Sequence, residues 1–397
     1  MRKLASLVQI ATVSPIEGAD KLELATMKGK GWNVVVSKGE FQPDDTAVYF
    51  EIDSYLPADD ERYAFLRERC LKKFCSKSGQ ILKEGIRIKT VKLRGQLSQG
   101  LLIPIDKYIG LNKEFFGTTI APDSSIKLLH RSQSEDGQYM TDQFSVGDDL
   151  TAILHIEHYD EIADALRPIS SGGGLSGDAI SSFPSAYTPK SDEERIQNLA
   201  KYFTTMKGRL FEVSAKFDGT STTCFYSPTI DPEHPFGVCS RNNRLKEFTA
   251  TGVMPIYWQM AHKYDIENKL KSHFDETGDE LAIQAETVGC GVNGNRDLYT
   301  DNQMFVFRIW NIKKQNFLSP ADRRAFCAKY NIPHVQVIAE SMPFFDNITS
   351  MEEALKFAEG KTLRGHEREG VVLKSCDNGP FVSFKIVSNR YLLKQND

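Results

Sequence analysis

Short apolar or alternating runs of residues follow one another along the first 165 residues of the chain. Five of them stand at residues 22–26 (LELAT), 32–37 (WNVVVS), 47–52 (AVYFEI), 86–93 (IRIKTVKL) and 101–104 (LLIP). Clusters of glycine, proline and aspartate separate the runs, as at residues 28–31 and 42–45. Runs of this length with turn residues between them predict β-strands, and five or six in this spacing predict a small Greek-key barrel of the OB type. We therefore expect a β-rich domain over residues 1–165.

The pattern changes after this domain. Residues 170–177 (SSGGGLSG) are small and show no periodicity, which predicts a flexible linker that we place at residues 166–189. From residue 190 to 397 strand and helix patterns are mixed, so an α+β domain of antiparallel sheets and helices is expected. Ser191 followed by Glu194 has the spacing of a capping box, which predicts that a helix begins there and carries Arg195.

Composition is that of a soluble globular protein. The 397 residues are 40% hydrophobic and 26% charged, and no apolar run reaches the length of a membrane span. The seven cysteines are odd in number and lack paired Cys-x-x-Cys spacing, which favours reduced thiols over disulfides or structural zinc. With no secretory signal at the start of the chain, we expect an intracellular protein, cytoplasmic or nuclear, without a membrane partner or an obligate protein partner.

A basic segment stands out against the net charge of −4. From residue 67 to residue 95 the chain has ten lysines and arginines but two glutamates, a density that suits contact with a phosphate backbone. The alternative is a solvated strand face. Because the segment runs into a polar, glycine-punctuated stretch at residues 93–100, nucleic acid is the favoured partner, with Arg87, Lys89, Lys92 and Arg94 as its candidate contacts.

The second domain contains a candidate nucleophile. Residues 216–219 (Lys-Phe-Asp-Gly) follow an apolar strand, so the amine of Lys216 would be partly desolvated where the strand ends. Burial and a nearby cation lower the pKa of a lysine until the neutral amine attacks, here at a nucleotide α-phosphate. The alternative is that Asp218 and Gly219 form a hairpin corner and Lys216 is a solvated strand residue.

Further polar groups follow Lys216 at the ends of predicted strands. Arg241 could hold a ribose or phosphate oxygen, and Glu286 could accept from a ribose hydroxyl or a metal-bound water. An aromatic stripe at residues 305–310 offers a face for a purine, although such a stripe is more often part of a core. Glu369 comes just before the second-last predicted apolar strand, and Lys374 stands at the end of that strand. Lys385 lies near the C-terminus.

In this order, the segments resemble the motifs of the covalent nucleotidyltransferase superfamily, which includes RNA ligases, DNA ligases and mRNA capping enzymes. Ordered matches over about 170 residues are far more specific than any one motif. DNA ligases and capping enzymes carry an OB domain after the last motif, whereas twelve residues follow Lys385 here. The expected N-terminal barrel resembles the RNA ligases of the Deinococcus and Naegleria type, and the likeness includes residues 383–394.

The resemblance implies ATP-dependent joining of 3′-OH and 5′-phosphate ends, at nicks in duplex RNA or in an RNA/DNA hybrid, through a lysyl-AMP and an adenylylated 5′ end. It implies Mg²⁺ or Mn²⁺ as the divalent ion. Ser383 departs from the pattern, because many ligases have the first of two lysines there. Roles follow as catalytic residues Lys216, Arg195, Lys374 and Lys385, nucleotide-binding residues Asp218, Gly219, Arg241, Glu286, Phe305, Phe307 and Glu369, and metal-binding residues Asp218, Glu286 and Glu369.

Two other functions stay open at this point. A capping-type guanylyltransferase would use GTP and pass GMP to an RNA 5′-diphosphate. A non-catalytic RNA-binding protein would keep the nucleotide fold as a scaffold, but it would have no physical reason to retain costly charges in one pocket.

Overall fold

A computed structural model describes residues 3–76, 78–108, 115–120, 126–133, 138–170 and 178–395. The chain divides into two compact units, residues 1–173 with 395–397 and residues 174–394. Lys77 of the basic segment and residues 171–177 of the predicted linker lie outside the described residues. Within the described part of the chain, none of the helices combines the length and apolar character that a bilayer span requires.

The first unit is mainly antiparallel β-sheet. Its helical elements are 3₁₀ turns at Glu61–Leu66 and Ile105–Tyr108, α1 (Arg67–Cys70) and α2 (Tyr159–Ser170). Its strands are β1 (Ala5–Pro15), β2 (Leu22–Met27), β3 (Asn33–Ser37), β4 (Thr46–Phe50), β5 (Ser54–Pro57), β6 (Leu71–Cys75), β7 (Ile81–Arg87), β8 (Thr90–Leu93), β9 (Gln96–Gln99), β10 (Leu101–Pro104), β11 (Phe115–Ile120), β12 (Ile126–Gln133), β13 (Tyr139–Phe144) and β14 (Glu157–His158).

Strand β1 gives the first unit its curled shape. It pairs with β4 through residues 5–9 and with β2 through residues 10–15, and its register shifts between Ile10 and Thr12. A bulge of this kind bends a strand and increases its twist, so one long strand can serve both halves of a curled sheet of order β10-β4-β1-β2-β3. Trp32 and Tyr49 are fully buried in the apolar core that the sheet encloses.

The second unit stacks helices against two mainly antiparallel sheets. Its strands are β15 (Ala179–Ser182), β16 (Glu194–Arg195), β17 (Phe211–Lys216), β18 (Thr220–Tyr226), β19 (Phe236–Cys239), β20 (Asn243–Leu245), β21 (Leu281–Val288), β22 (Gln303–Asn311), β23 (Asn316–Phe317), β24 (Val337–Met342), β25 (Gly370–Ser375) and β26 (Ser383–Val387). Its helices are a 3₁₀ turn at Ile196–Asn198, α3 (Tyr202–Thr205), α4 (Ile256–Lys263), α5 (Ile266–Thr277), α6 (Pro320–Lys329), α7 (Phe344–Asn347), α8 (Met351–Ala358) and α9 (Asn389–Gln395).

The two sheets of the second unit have the orders β15-β20-β19-β18-β21-β22-β23 and β16-β26-β25-β17-β24. Their central strands β17, β21 and β25 are buried along nearly their whole length, and an apolar core packs against each sheet. The chain passes from β17 in one sheet to β18 in the other through residues 217–219, so the lysine motif stands where the two sheets meet. β15 already belongs to this unit, so the predicted linker contains a strand in place of uniformly irregular chain.

The helix predicted to begin at Ser191 does not form. Residues 191–193 are extended, and Glu194 and Arg195 form β16, which pairs in parallel with β26. The Glu194 carboxylate accepts hydrogen bonds from the Arg195 N–H at 2.9 Å and from the Asn198 amide at 2.9 Å, so it is not available for a capping box. Pairing with the sheet edge replaces the local helical preference, which is only a weak prior.

Candidate active site

Lys216 is the last residue of β17, a strand whose first five residues are buried. Its cross-strand partner is Gly370, and the Lys216 Nζ donates to the Glu369 carboxylate at 2.7 Å. Burial on its own lowers the pKa of Lys216, but the charges of Glu369, Glu286 and Asp218 outweigh it and the pKa is raised. Carboxylates surround the amine, so a lowered pKa of Lys216 requires a cation beside them, and this part of the expectation stays a prediction.

Gly219 has a packing role. A Cβ built on it would lie 2.2 Å from the Thr287 carbonyl oxygen, so a larger residue would push the loop away from β21. Its N–H donates to the Glu286 carboxylate at 3.1 Å. Glycine at the end of the motif therefore lets the backbone approach the strand that carries Glu286 and orients that side chain.

Glu286 lies inside the cavity wall. Burial raises its pKa to about 7, even though Lys216 acts in the opposite direction. Two further carboxylates, Glu369 and Asp218, add to the rise. An acid held in this way gains from any cation that comes near, because a cation removes the cost of ionising it.

Asp218 is held by residues that the sequence reasoning missed. The Tyr391 hydroxyl, on helix α9, donates to its carboxylate, the Asn293 amide donates at 3.2 Å, and the Arg296 guanidinium lies 3.6 Å away. The Arg296 guanidinium also lies 5.1 Å from the centroid of the Tyr391 ring. No local motif marks these three residues. The likeness over residues 383–394 was the one signal that pointed to Tyr391.

Two buried lysines stand on neighbouring strands. The Lys374 Nζ on β25 has no hydrogen-bond partner, and burial lowers its pKa to about 8. On β26, burial followed by the charges of Lys216 and Arg195 lowers the pKa of Lys385 to about 8. Arg195 is the register partner of Lys385, so these cations line one side of the site. An ammonium that is buried without an acceptor fits an anionic ligand such as a phosphate.

A cavity of about 450 Å³ brings most of the predicted residues together. Phe307 lies in its wall, and the centroid of its ring is 5.9 Å from the Lys374 Nζ. Phe305 is not among the lining residues, because its ring stacks on Phe217 at 4.7 Å between centroids. Of the two phenylalanines, Phe307 is therefore the one that lines the cavity. The predicted residues in the wall are Arg195, Lys216, Asp218, Gly219, Arg241, Glu286, Phe307, Glu369, Lys374 and Lys385.

The extended segment 191–193 forms another part of the wall. Arg241 pairs with Asp192 at 2.8 Å across it. Ser383, the residue that departs from the ligase pattern, donates its hydroxyl hydrogen to Glu193 and is the cross-strand partner of Lys374. The hydroxyl hydrogen of Ser383 is therefore already used in a bond to the Glu193 carboxylate.

Oxygen donors in the cavity fit a divalent ion only in part. Among the described residues, no group of three or more His, Cys, Asp or Glu side chains could hold a metal ion. Glu286 and Glu369 both line the cavity, and hard ions such as Mg²⁺ and Mn²⁺ bind through one or two carboxylates together with phosphates and waters. The donor set therefore fits an ion that arrives with a nucleotide.

The basic segment of the first unit is partly neutralised. Arg87 pairs with Asp53 at 2.7 Å and stacks over the ring of Tyr159 at 3.8 Å, so part of its charge is already balanced within the unit, and its role as a phosphate contact stays a prediction. Its guanidinium holds strands and helix α2 together.

The other predicted contacts lie on or beside the β8–β9 hairpin. Lys89 and Arg94 are exposed and Lys92 is half-buried. Arg94 stands with Gly95 at the tip of the hairpin, where both have positive φ. A turn with two such residues matches the twist of a tight hairpin.

Comparison with known proteins agrees with this architecture. A family model described as an OB-fold domain matches residues 4–105, and one described as RNA ligase matches residues 209–387. A search of curated proteins finds no match.

All seven cysteines are free thiols, as their spacing predicted.

Solved structures of the Naegleria gruberi RNA ligase resemble the whole chain. A Glu-to-Ala variant with ATP and Mn is 31% identical, with 100% of each chain covered and a TM-score of 0.69. The enzyme with PPi is 32% identical over 99% of each chain at a TM-score of 0.67, and an apo Asp-to-Ala variant is 30% identical over 99% of this chain and 98% of that one at 0.68. The chain thus belongs to the RNA ligase family, with an N-terminal OB-fold domain followed by the ligase domain.

Proposed function

We propose that the chain is an ATP-dependent RNA ligase that seals 3′-OH and 5′-phosphate ends at nicks in duplex, through a lysyl-AMP and an adenylylated 5′ end. The observation that carries this proposal is the placement of Lys216 in one cavity together with carboxylates and two buried lysines. That arrangement suits transfer of a nucleotidyl group, which needs alignment and charge neutralisation more than proton shuttling. The related Naegleria enzyme was solved with ATP and Mn, and with PPi.

In the first step, the Lys216 amine attacks the α-phosphorus of ATP, a P–N bond forms, and the P–O bond to the β-phosphate breaks to release pyrophosphate. The ammonium must first lose a proton, since its pKa is raised by the surrounding carboxylates. Lys374 and Lys385 hold the α-phosphate, and Phe307 packs on the base. Glu286 and Glu369 would hold a divalent ion, which would supply charge neutralisation that favours the neutral amine.

In the second step the 5′-phosphate attacks the lysyl-AMP and becomes adenylylated, and Lys216 is regenerated. In the third, the 3′-OH attacks the 5′-phosphorus and expels AMP. Arg195 and Arg241 are proposed to hold the AMP phosphate and ribose through these steps, because both side chains line the cavity. Asp218 is proposed to act near the ion, with its carboxylate oriented by Tyr391.

Residues 1–165 are proposed to bind the nucleic acid through Lys89, Lys92 and Arg94, and residues 190–397 to carry out nucleotidyl transfer. Backbone contacts of this kind set affinity and salt dependence more than sequence preference. Neutralising these three cations should impair sealing of a nicked duplex and leave labelling of Lys216 intact. Equal loss of both activities would contradict this division of labour.

The test is to incubate wild type, Lys216→Ala and the matched surface variant Lys207→Ala with α-labelled ATP or GTP and Mg²⁺ or Mn²⁺. Lys207 is exposed in the same unit and serves as the control for loss of a lysine. Label from ATP alone that is absent only from Lys216→Ala would support the proposal, and sealing of a nicked RNA duplex would then be measured. Label from GTP would identify a capping-type guanylyltransferase, and no label from either would leave an RNA-binding protein.

A further inference from the structure

Two loops beside the catalytic cavity present leucines to solvent. Leu298 is 61% exposed and Leu363 is 72% exposed. Leu298 also has a φ of +51°, a left-handed conformation that a leucine rarely adopts and that glycine or asparagine would adopt without strain. Neither its conformation nor its burial explains why a leucine stands there, so the side chain has a use outside the folded core.

The two loops are fastened to each other. Arg364 donates to the carbonyl oxygens of Asp297 at 2.7 Å and Leu298 at 2.9 Å, and the Thr362 hydroxyl donates to the Asp297 carboxylate at 3.0 Å. The Arg364 guanidinium also lies 5.0 Å from the centroid of the Tyr299 ring. The exposed leucines are thus held on supported loops.

An excess of positive charge surrounds them. Lys361, Arg390 and Lys394 share one oxygen of the Glu367 carboxylate, at 2.7, 3.4 and 3.4 Å. Arg364 is bonded to backbone carbonyls and to no acid. The charge of Arg364 also acts on the Asp297 carboxylate, so four cations face two carboxylates. The Leu363 patch, as we define it, consists of Leu298, Lys361, Leu363, Arg364, Arg390 and Lys394.

The Leu363 patch is continuous with the catalytic groups. Arg296 precedes Leu298 on the same loop and lies 3.6 Å from Asp218. Tyr391 lies between the two cations of helix α9 and donates to the same carboxylate. Glu367 stands two residues before Glu369, which pairs with Lys216. A ligand that reaches from the cavity over these loops would meet the patch.

We propose that the Leu363 patch binds the sugar–phosphate backbone of RNA next to the break, with its cations on the phosphates and its leucines against the apolar faces of riboses and bases. This rests on the proposed function and assigns part of the substrate surface to the ligase domain. A polyanion is the occupant that four cations beside two acids fit by charge. The surface begins at the residues that hold the catalytic carboxylates, as a surface for the strand being joined must.

The test compares Lys361→Gln/Lys394→Gln with a matched control, Lys271→Gln/Lys329→Gln, which removes two exposed, paired lysines from helices α5 and α6 of the same unit. Binding of a fluorescent nicked RNA duplex is measured from about 50 to about 200 mM salt, and labelling by ATP is measured without RNA. We expect the patch variant to bind about 10-fold more weakly, with a salt slope smaller by about 1 to 2, while the control matches wild type. Equal affinity and slope in both variants would overturn the proposal.

A second variant separates binding from folding. Leu298→Asn removes the exposed leucine and relieves the left-handed strain, so we expect an unchanged or higher melting temperature together with RNA binding about 10-fold weaker. Wild-type binding in this variant and in Leu363→Ser would overturn the role of the leucines. Absence of label from ATP in wild type would refute the proposed function alone, because RNA binding is measured separately.

Discussion

Replacing Lys374 by methionine should make the ligand-free protein more stable and the enzyme much less active. The Lys374 Nζ is buried without a hydrogen-bond partner, and its pKa falls from 10.5 to about 8. That fall corresponds to about 3 kcal/mol of destabilisation of the charged form in the folded state. Methionine has a similar length and no charge, so Lys374→Met should recover part of this energy, about 1–3 kcal/mol at pH 7.

The pH dependence gives the sign of the effect. Between pH 8 and pH 10.5 the unfolded chain binds more protons at Lys374 than the folded chain does, so wild type gains stability as the pH rises through this range. Below pH 8 the whole penalty is present. Lys374→Met should lack this gain, and the difference in stability between variant and wild type should therefore shrink as the pH approaches 10.

Urea denaturation at pH 7 and pH 9.5 measures the stability, and labelling by α-labelled ATP measures the function. Labelling should fall about 100-fold, the usual cost of removing one group that stabilises transition-state charge. Lys356→Met, on the exposed face of helix α8, is the matched control and should change neither. Loss of more than about 1 kcal/mol in Lys374→Met at pH 7 would refute the reasoning, because it would mean that the ammonium has a stabilising native partner.

Three further results follow from the same contacts. Glu286→Gln should stabilise the protein by up to about 3 kcal/mol at pH 8 and much less at pH 4.5. The reason is that the pKa of Glu286 is raised to about 7, so wild type loses stability as the pH rises between these two values. Urea titrations at both pH values test this prediction. Tyr391→Phe removes a donor to Asp218 and should raise the Mn²⁺ concentration needed for half-maximal labelling about 10-fold, whereas a lowered melting temperature with unchanged metal dependence would contradict this. Arg323→Met should cost about 1–3 kcal/mol, because the fully buried Glu212 loses its bidentate partner and keeps the Arg324 guanidinium. A second change, Glu212→Leu, should restore much of the loss in a thermal melt.

Much of the catalytic site was predictable because its groups follow strand ends. Lys216, Glu286 and Lys374 each lie at or near the end of a strand, a pattern that is visible in the chain. Antiparallel pairing puts the end of one strand beside the start of its partner, as it does for Lys216 and Gly370. The strand that carries Lys216 even pairs with the one that follows Glu369. The order of the motifs along the chain was enough to identify the family, although no single motif was specific enough to do so.

Long-range pairing was beyond the sequence pattern. The spacing of Ser191 and Glu194 is that of a helix start, but the parallel bridge from Arg195 to Lys385 crosses 190 residues and overrides it. The contacts of Arg87 were hidden for a similar reason, since its acid Asp53 and its aromatic neighbour Tyr159 stand on distant segments. Charge density along a sequence counts cations without showing which of them are already neutralised.

The pKa values of the buried groups in the cavity are shifted in opposite directions. Together these shifts indicate which kind of ligand would fit the cavity. Burial lowers the pKa values of Lys374 and Lys385 to about 8, so both gain from an anion, while burial raises that of Glu286 to about 7, so it gains from a cation. A neutral ligand would stabilise neither the buried lysines nor the buried glutamate. An anion alone would stabilise the lysines but not the ionised form of Glu286, whose burial is costly. A polyphosphate accompanied by a divalent cation relieves all three groups at once, and its binding should therefore take up protons at the lysines above pH 8 and release one from Glu286 below pH 7.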